Sequence, residues 1–132
     1  MASYILIVDD QPELAQMMTD LLDDAGYQAR SAGNGREALA DIQQEQPDLV
    51  LLDVNMPELD GFEVAAMLKS DPATATIPII MVSAQEGRAS RLIGLESGAE
   101  DYLAKPVDPA ELLAKIRNLL RLRQRSMSTA MH

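Results

Sequence analysis

Apolar residues fall along this chain in two alternating rhythms. Tyr4-Ile5-Leu6-Ile7-Val8, Leu49-Val50-Leu51-Leu52 and Ile77-Pro78-Ile79-Ile80-Met81-Val82 are short unbroken runs, the pattern of strands buried on both faces. Tyr27 to Ser31 is a less apolar strand, expected at or near an edge, and Asp101-Tyr102-Leu103-Ala104 is a last short one. Between them the rhythm changes to steps of three and four. Leu14, Met17, Met18, Leu21, Leu22 and Ala25 predict an amphipathic helix that Pro12 begins and Gly26 stops. Ala38, Leu39 and Ile42 start a second helix after the Gly33-Asn34-Gly35 turn, ending before Pro47. Phe62, Ala65, Met67 and Leu68 predict a third, closed by Asp71-Pro72. Gly87 to Ser97 is a weaker fourth, capped by Gly98. Asp108-Pro109 reads as N-cap and first-turn proline of a last helix with Leu112, Leu113, Ile116, Leu119 and Leu120 on its stripe.

Strands and helices in regular alternation imply an α/β fold, a doubly wound parallel sheet with helices on both faces, because right-handed crossovers leave few other arrangements. Ligands of such sheets gather beyond the carboxyl ends of the strands. Asp9, Asp10, Asp53, Ser83 and Lys105 each fall at such an end, so they are expected to converge on one rim.

Composition narrows this picture. The 132 residues suit one domain, and 47% apolar with 24% charged residues is globular. The absence of cysteine excludes disulfides, thiolate metal sites and a cysteine nucleophile. No apolar run approaches the ~20 residues that cross a bilayer, so no membrane span is expected and the cytoplasm is the default location. The net charge of −10 argues against direct nucleic-acid binding. That charge is uneven: from Ala110 onward Lys115, Arg117, Arg121, Arg123 and Arg125 stand against Glu111 alone, giving +4 there and −14 elsewhere. Ser126 to His132 lacks periodicity and is expected to fray.

Three carboxylates in one cluster repel each other unless a cation shares the site. Oxygen-only ligands without His or Cys favour Mg²⁺, or alternatively Mn²⁺. A carboxylate beside such an ion can attack phosphorus and form an acyl phosphate. Lys105 offers a point charge for one phosphoryl oxygen and Ser83 a hydroxyl for another. The only histidine, His132, lies at the chain's end, so no group is placed to activate water strongly. Each residue also has a plainer reading. Asp10 would cap the first helix, Asp53 would form an Asx-turn, Ser83 would bond nearby backbone, and Lys105 would be a solvated surface lysine. Tyr102 would be a half-buried packing residue, and the final arginines would be helix-terminal charges. The common position of Asp10, Asp53, Ser83 and Lys105 at strand ends links their functional readings to one another.

Taken together, Ile5 to Asp10, Asp53-Val54-Asn55-Met56-Pro57-Glu58-Leu59-Asp60-Gly61, Val82-Ser83-Ala84 and Gly98 to Pro106 resemble the receiver domain of bacterial two-component response regulators. The resemblance covers Tyr4 to Leu122. It implies a flavodoxin-like sheet of five strands in order 2-1-3-4-5 with five helices, residues 1–122 forming the receiver and 123–132 a basic helix end and frayed tail or linker. It implies that Asp53 is the phosphoacceptor, that Asp9, Asp10, Asp53 and the Asn55 carbonyl hold Mg²⁺, and that Lys105 and Ser83 contact the phosphoryl group. The Lys105-Pro106 bond would be cis. Ser83 and Tyr102 would form the switch that alters the surface of the fourth helix, last strand and last helix. The donor would be a histidine kinase or phosphotransfer protein, and the receiver would be no enzyme. Its target would be an output domain or partner protein, and phosphorylation would favour a homodimer. Two rival classes are weaker. An aspartyl-phosphate phosphohydrolase would carry a second Asp two residues after the acceptor, where Asn55 stands. A flavodoxin-like electron carrier would need a phosphate loop after the first strand, where Asp9-Asp10 would repel a cofactor phosphate.

Overall fold

The computed structural model describes residues 4–84, 96 and 98–130. The strands are β1 (Ile5–Val8), β2 (Ala29–Ala32), β3 (Leu49–Asp53), β4 (Ile79–Ser83) and β5 (Asp101–Ala104). The helices are α1 (Pro12–Asp24), α2 (Gly35–Gln44), α3 (Gly61–Ser70) and α4 (Pro109–Ala130). All five strands are parallel, in the order β2-β1-β3-β4-β5 that the resemblance implied. The expected helix at Gly87 to Ser97 lies outside the described residues, except for Glu96, which is helical.

The unbroken apolar runs follow from this layering. Successive strand residues face opposite sides, and both sides are covered. Leu6, Val8, Val50, Leu52, Ile79 and Met81 form one core with Ala38, Ile42, Val64 and Leu68 of α2 and α3. Ile5, Ile7, Leu49, Leu51, Ile80 and Val82 form the other with Met18 and Leu22 of α1 and Leu112 and Ile116 of α4.

Two expectations change on contact with the backbone. Met17 and Met67 are 58% and 49% exposed although both sit in predicted stripes. At 100° per residue neighbouring positions cannot share a narrow seam, and Met18 and Leu68 take the buried places. Second, β2 begins at Ala29, because Tyr27 is used to close α1. Its N–H bonds Leu22 O at 2.9 Å and that of Gly26 bonds Asp23 O at 3.0 Å, a Schellman closure in which Gly26 takes φ +93°. The helix α4 is assigned as far as Ala130.

At the edge opposite the strand ends, Lys69 ties α3 to the last two strands. Its ammonium donates to Ala75 O at 3.0 Å, Ile77 O at 2.8 Å and Glu100 Oε1 at 2.6 Å, which uses all three of its hydrogens. Glu100 Oε2 in turn accepts from Ile79 N at 2.6 Å, at the start of β4. Gly98, at φ +105°, leaves room for the lysine stem, since a Cβ there would sit 2.6 Å from Lys69 Cγ. Replacing Lys69 by Met keeps the stem and strands three acceptors, so urea unfolding should show a loss of about 1.5–3 kcal/mol. Arg36→Met should leave the midpoint unchanged, because the Arg36–Glu58 pair is loose, at 3.9 Å, and open to water.

Candidate functional site

The strand register builds the site. Val8 pairs with Leu52, so the next residues, Asp9 and Asp53, emerge side by side at the carboxyl edge of adjacent central strands. Ser83 ends β4 one residue beyond Val82, the partner of Asp53. Lys105 follows β5 directly, and its N–H bonds Ser83 O at 2.8 Å. Carboxylate oxygens of Asp9, Asp10 and Asp53 lie within 4.8 Å of one another. Lys105 Nζ stands 3.5 Å from Asp9 Oδ2 and 3.4 Å from Asp53 Oδ1. Thus Asp9, Asp10, Asp53 and Lys105 meet as expected.

Burial differs sharply within this group. Asp9 and Asp53 are only 4% and 3% exposed, whereas Asp10 faces solvent. Asp9 Oδ1 accepts from Gln11 N at 2.9 Å, which orients it, and Asp53 Oδ1 accepts from Asn55 N at 3.3 Å. The Asx-type bond and the cluster therefore coexist at Asp53. The plainer reading of Asp10 as a helix cap is not met: Gln11 occupies the N-cap of α1 and makes no side-chain capping bond.

Ser83 ends β4 and Tyr102 lies within β5. By alternation Ser83 shares the sheet face of Ile79 and Met81, the face whose core includes Tyr102. Asp9 and Asp53 share the opposite face, with Ile7 and Leu51. Ser83 is fully buried and Tyr102 is 9% exposed, so Tyr102 is more enclosed than an edge-strand tyrosine usually is. Asn55 lies two residues past Asp53 and is exposed. The Lys105-Pro106 bond is cis.

Two features of the rim escaped the sequence reading. Gly61 starts α3 against the end of β3, its N–H on Val54 O at 3.1 Å; a Cβ there would lie 2.4 Å from Asp53 O. Only glycine lets the helix approach so closely. Asp60 and Glu63 form a reciprocal capping box on α3, a pairing that the Asp60-x-x-Glu63 spacing does signal. Between them and the acid, Glu58 turns the chain with φ 65°.

Burial holds the Asp53 carboxyl above its ordinary range; Lys105 opposes this, Asp9 adds to it, and the Asn55 N–H lowers it again. The donor set fits a hard divalent cation: oxygen ligands only, two of them withdrawn from water, with one lysine to balance three acids.

Comparison with known proteins agrees with this arrangement. Residues 5–117 match the model of the response regulator receiver domain. The response regulator PleD of Caulobacter vibrioides is 42% identical over 135 residues, covering 97% of this chain and 30% of that protein. The transcriptional regulatory protein GltR of Pseudomonas aeruginosa is 43% identical over 120 residues, covering 91% of this chain and 50% of that protein. This chain therefore spans half or less of those relatives. Among solved structures, a putative response regulator from Chloroflexus aurantiacus superposes with a TM-score of 0.87 at 40% identity, covering 92% of this chain and 99% of that one. The chemotaxis protein CheY4 of Vibrio cholerae gives 0.83 at 34%, covering 90% and 99%.

A group whose folded pKa is raised favours folding below its unfolded pKa and loses that contribution as pH rises through the folded value. Ionised Asp53 therefore costs stability near neutrality. Metal-free Asp53→Asn should melt above wild type at pH 7, and the gap should close as pH falls into the carboxylate range; thermal melts across pH check both signs.

Proposed function

This chain belongs to the family of response regulator receiver domains, and on that premise we propose that Asp53 accepts a phosphoryl group from a phosphohistidine of a sensor histidine kinase or phosphotransfer protein. One observation carries the reading: a buried strand-end carboxylate shares its site with two further carboxylates and with an ammonium 3.4 Å away. An Asp53 oxygen attacks phosphorus, the N–P bond of the donor breaks, and the departing imidazole takes up a proton from solvent. Asp9, Asp10, Asp53 and the backbone carbonyl of Asn55 would hold Mg²⁺, with Mn²⁺ as the alternative. When bound, the ion neutralises the approaching phosphoryl oxygens.

Before transfer Lys105 divides its charge between Asp9 and Asp53; afterwards it faces a phosphoryl oxygen, a stronger acceptor. Ser83 supplies a hydroxyl from the neighbouring strand end. Its movement toward the modified Asp53 would vacate space into which Tyr102 swings, and both side chains are buried. The altered surface would act on an output domain or partner protein, with homodimerisation as one outcome. Residues 1–122 form the phosphoacceptor domain in this reading, and 123–132 lead toward the output, in the cytoplasm.

Receiver domains are signalling domains. The residue two after Asp53 is Asn55, which cannot serve as the general acid of a phosphohydrolase, so the phosphoryl group is stored rather than turned over. Incubation with acetyl phosphate and Mg²⁺ should add the mass of one phosphoryl group, and Asp53→Asn or removal of Mg²⁺ by chelation should abolish the gain. Unmodified wild type, or a normal gain in Asp53→Asn, would refute the assignment. Mg²⁺ alone should stabilise the fold by about 1.4 kcal/mol for each tenfold excess over its dissociation constant, and Asp10→Ala should weaken that response.

A further inference from the structure

The turn into α2 joins two residues whose chemistry the proposed phosphotransfer does not use. Asn34 is exposed and caps the helix, its Oδ1 accepting from Glu37 N at 2.8 Å, and Gly35 follows as the first helical residue. Packing dictates the glycine. It is buried, and a Cβ there would lie 2.8 Å from Val64 Cγ2 and 3.0 Å from Leu59 Cδ2. The close seat of α2 on α3 thus leaves the Gly35 nitrogen with no side chain of its own to shield it. That nitrogen is also among the first four of the helix, which have no intrahelical acceptor.

Asparagine is thermolabile where the next backbone nitrogen can reach its amide. The Gly35 nitrogen attacks Asn34 Cγ and a C–N bond forms; the Cγ–NH₂ bond breaks, and ammonia leaves with the proton from Gly35. Water then opens the cyclic imide at either carbonyl, giving aspartate or isoaspartate. The other two asparagines, Asn55 and Asn118, precede Met56 and Leu119, whose side chains crowd the attacking nitrogen. Asp60-Gly61 repeats the arrangement at the start of α3, but a carboxylate is a poorer electrophile than an amide.

We propose that Asn34-Gly35 is a site of spontaneous deamidation gated by the first turn of α2, and that its isoaspartyl product unseats α2 from α3. In the closed turn the amide oxygen is committed to Glu37 N, so ring closure requires the cap to open. The two products differ in effect. Aspartate keeps a capping oxygen and places a negative charge at the positive end of the helix dipole. Isoaspartate routes the main chain through Cγ and adds one carbon between the cap and Gly35, where the contact with Val64 and Leu59 is too close to absorb the displacement.

Incubating the 132-residue chain at mildly alkaline pH, folded and in urea, followed by digestion and mass spectrometry, tests this. Aspartate and isoaspartate should accumulate at position 34 ahead of any change at Asn55, Asp60 or Asn118, and about tenfold or more slowly in the folded chain than in urea. Leu59→Ala loosens the seat of Gly35 and leaves the dipeptide intact, so it should speed the folded reaction, with protected β3 amides showing that the variant folds. Asn34→Ser keeps a cap and should abolish the product. In the separated isoaspartyl form the amides of α2 should exchange hydrogen faster than in wild type, whereas those of Asn34→Asp should not. No product at position 34 in the folded chain once the chain in urea has converted, equal rates in the two, or wild-type exchange in the isoaspartyl form would overturn the proposal.

Discussion

Two aspartates at the ends of the central strands are almost fully withdrawn from water, and a single ammonium stands between them. Most of the rim's architecture follows from keeping that arrangement tolerable. The register of β1 against β3 fixes the distance between the acids, and the β4–β5 pairing delivers Lys105 to them. Gln11 and Asn55 donate backbone N–H groups to the same carboxylates. Buried charges are retained only where they are paired and hydrogen-bonded, and even then the desolvation cost is not fully recovered. The raised Asp53 carboxyl is that residual cost, kept at the position where a charge-neutralising event would relieve it.

Much of this was legible in the sequence because parallel sheets write their signature strongly. A strand covered on both faces must be apolar at every position, so Leu49 to Leu52 and Ile79 to Val82 stood out without periodicity. The acids were legible for the same reason, as abrupt interruptions of such runs. Helix faces were less so. Two adjacent methionines satisfy the same three-and-four spacing, and only the packing of Ala15, Met18 and Leu22 decides which is buried. The start of β2 was hidden because Tyr27 looks like a strand residue, while its N–H is committed to the helix before it. Gly61 was invisible as a close-approach residue because that role depends on a backbone carbonyl from eight positions earlier in the chain, Asp53 O.

The two ends of the sheet are built on different principles. The carboxyl edge concentrates unlike charges in one small group. The opposite edge is fastened by Lys69 and Glu100, whose bonds reach backbone groups of the loop before β4 and of β4 itself. Such a saturated network resists small displacements, because a partial shift leaves donors unmade. The helix α4 adds to the fastened end, through the Lys115–Asp101 pair at 2.9 Å at the start of β5 and through Arg123 on Thr76 O before β4.

Lys105 and Asp9 are separated by 96 residues in the chain and meet only through the completed sheet. Contacts this distant form late, since each crossover must close before the next strand can dock. A chain emerging from the ribosome without β5 would carry its acids with no lysine between them. The charge cluster is consequently a product of finished folding, absent from any partly assembled molecule that lacks its last strand.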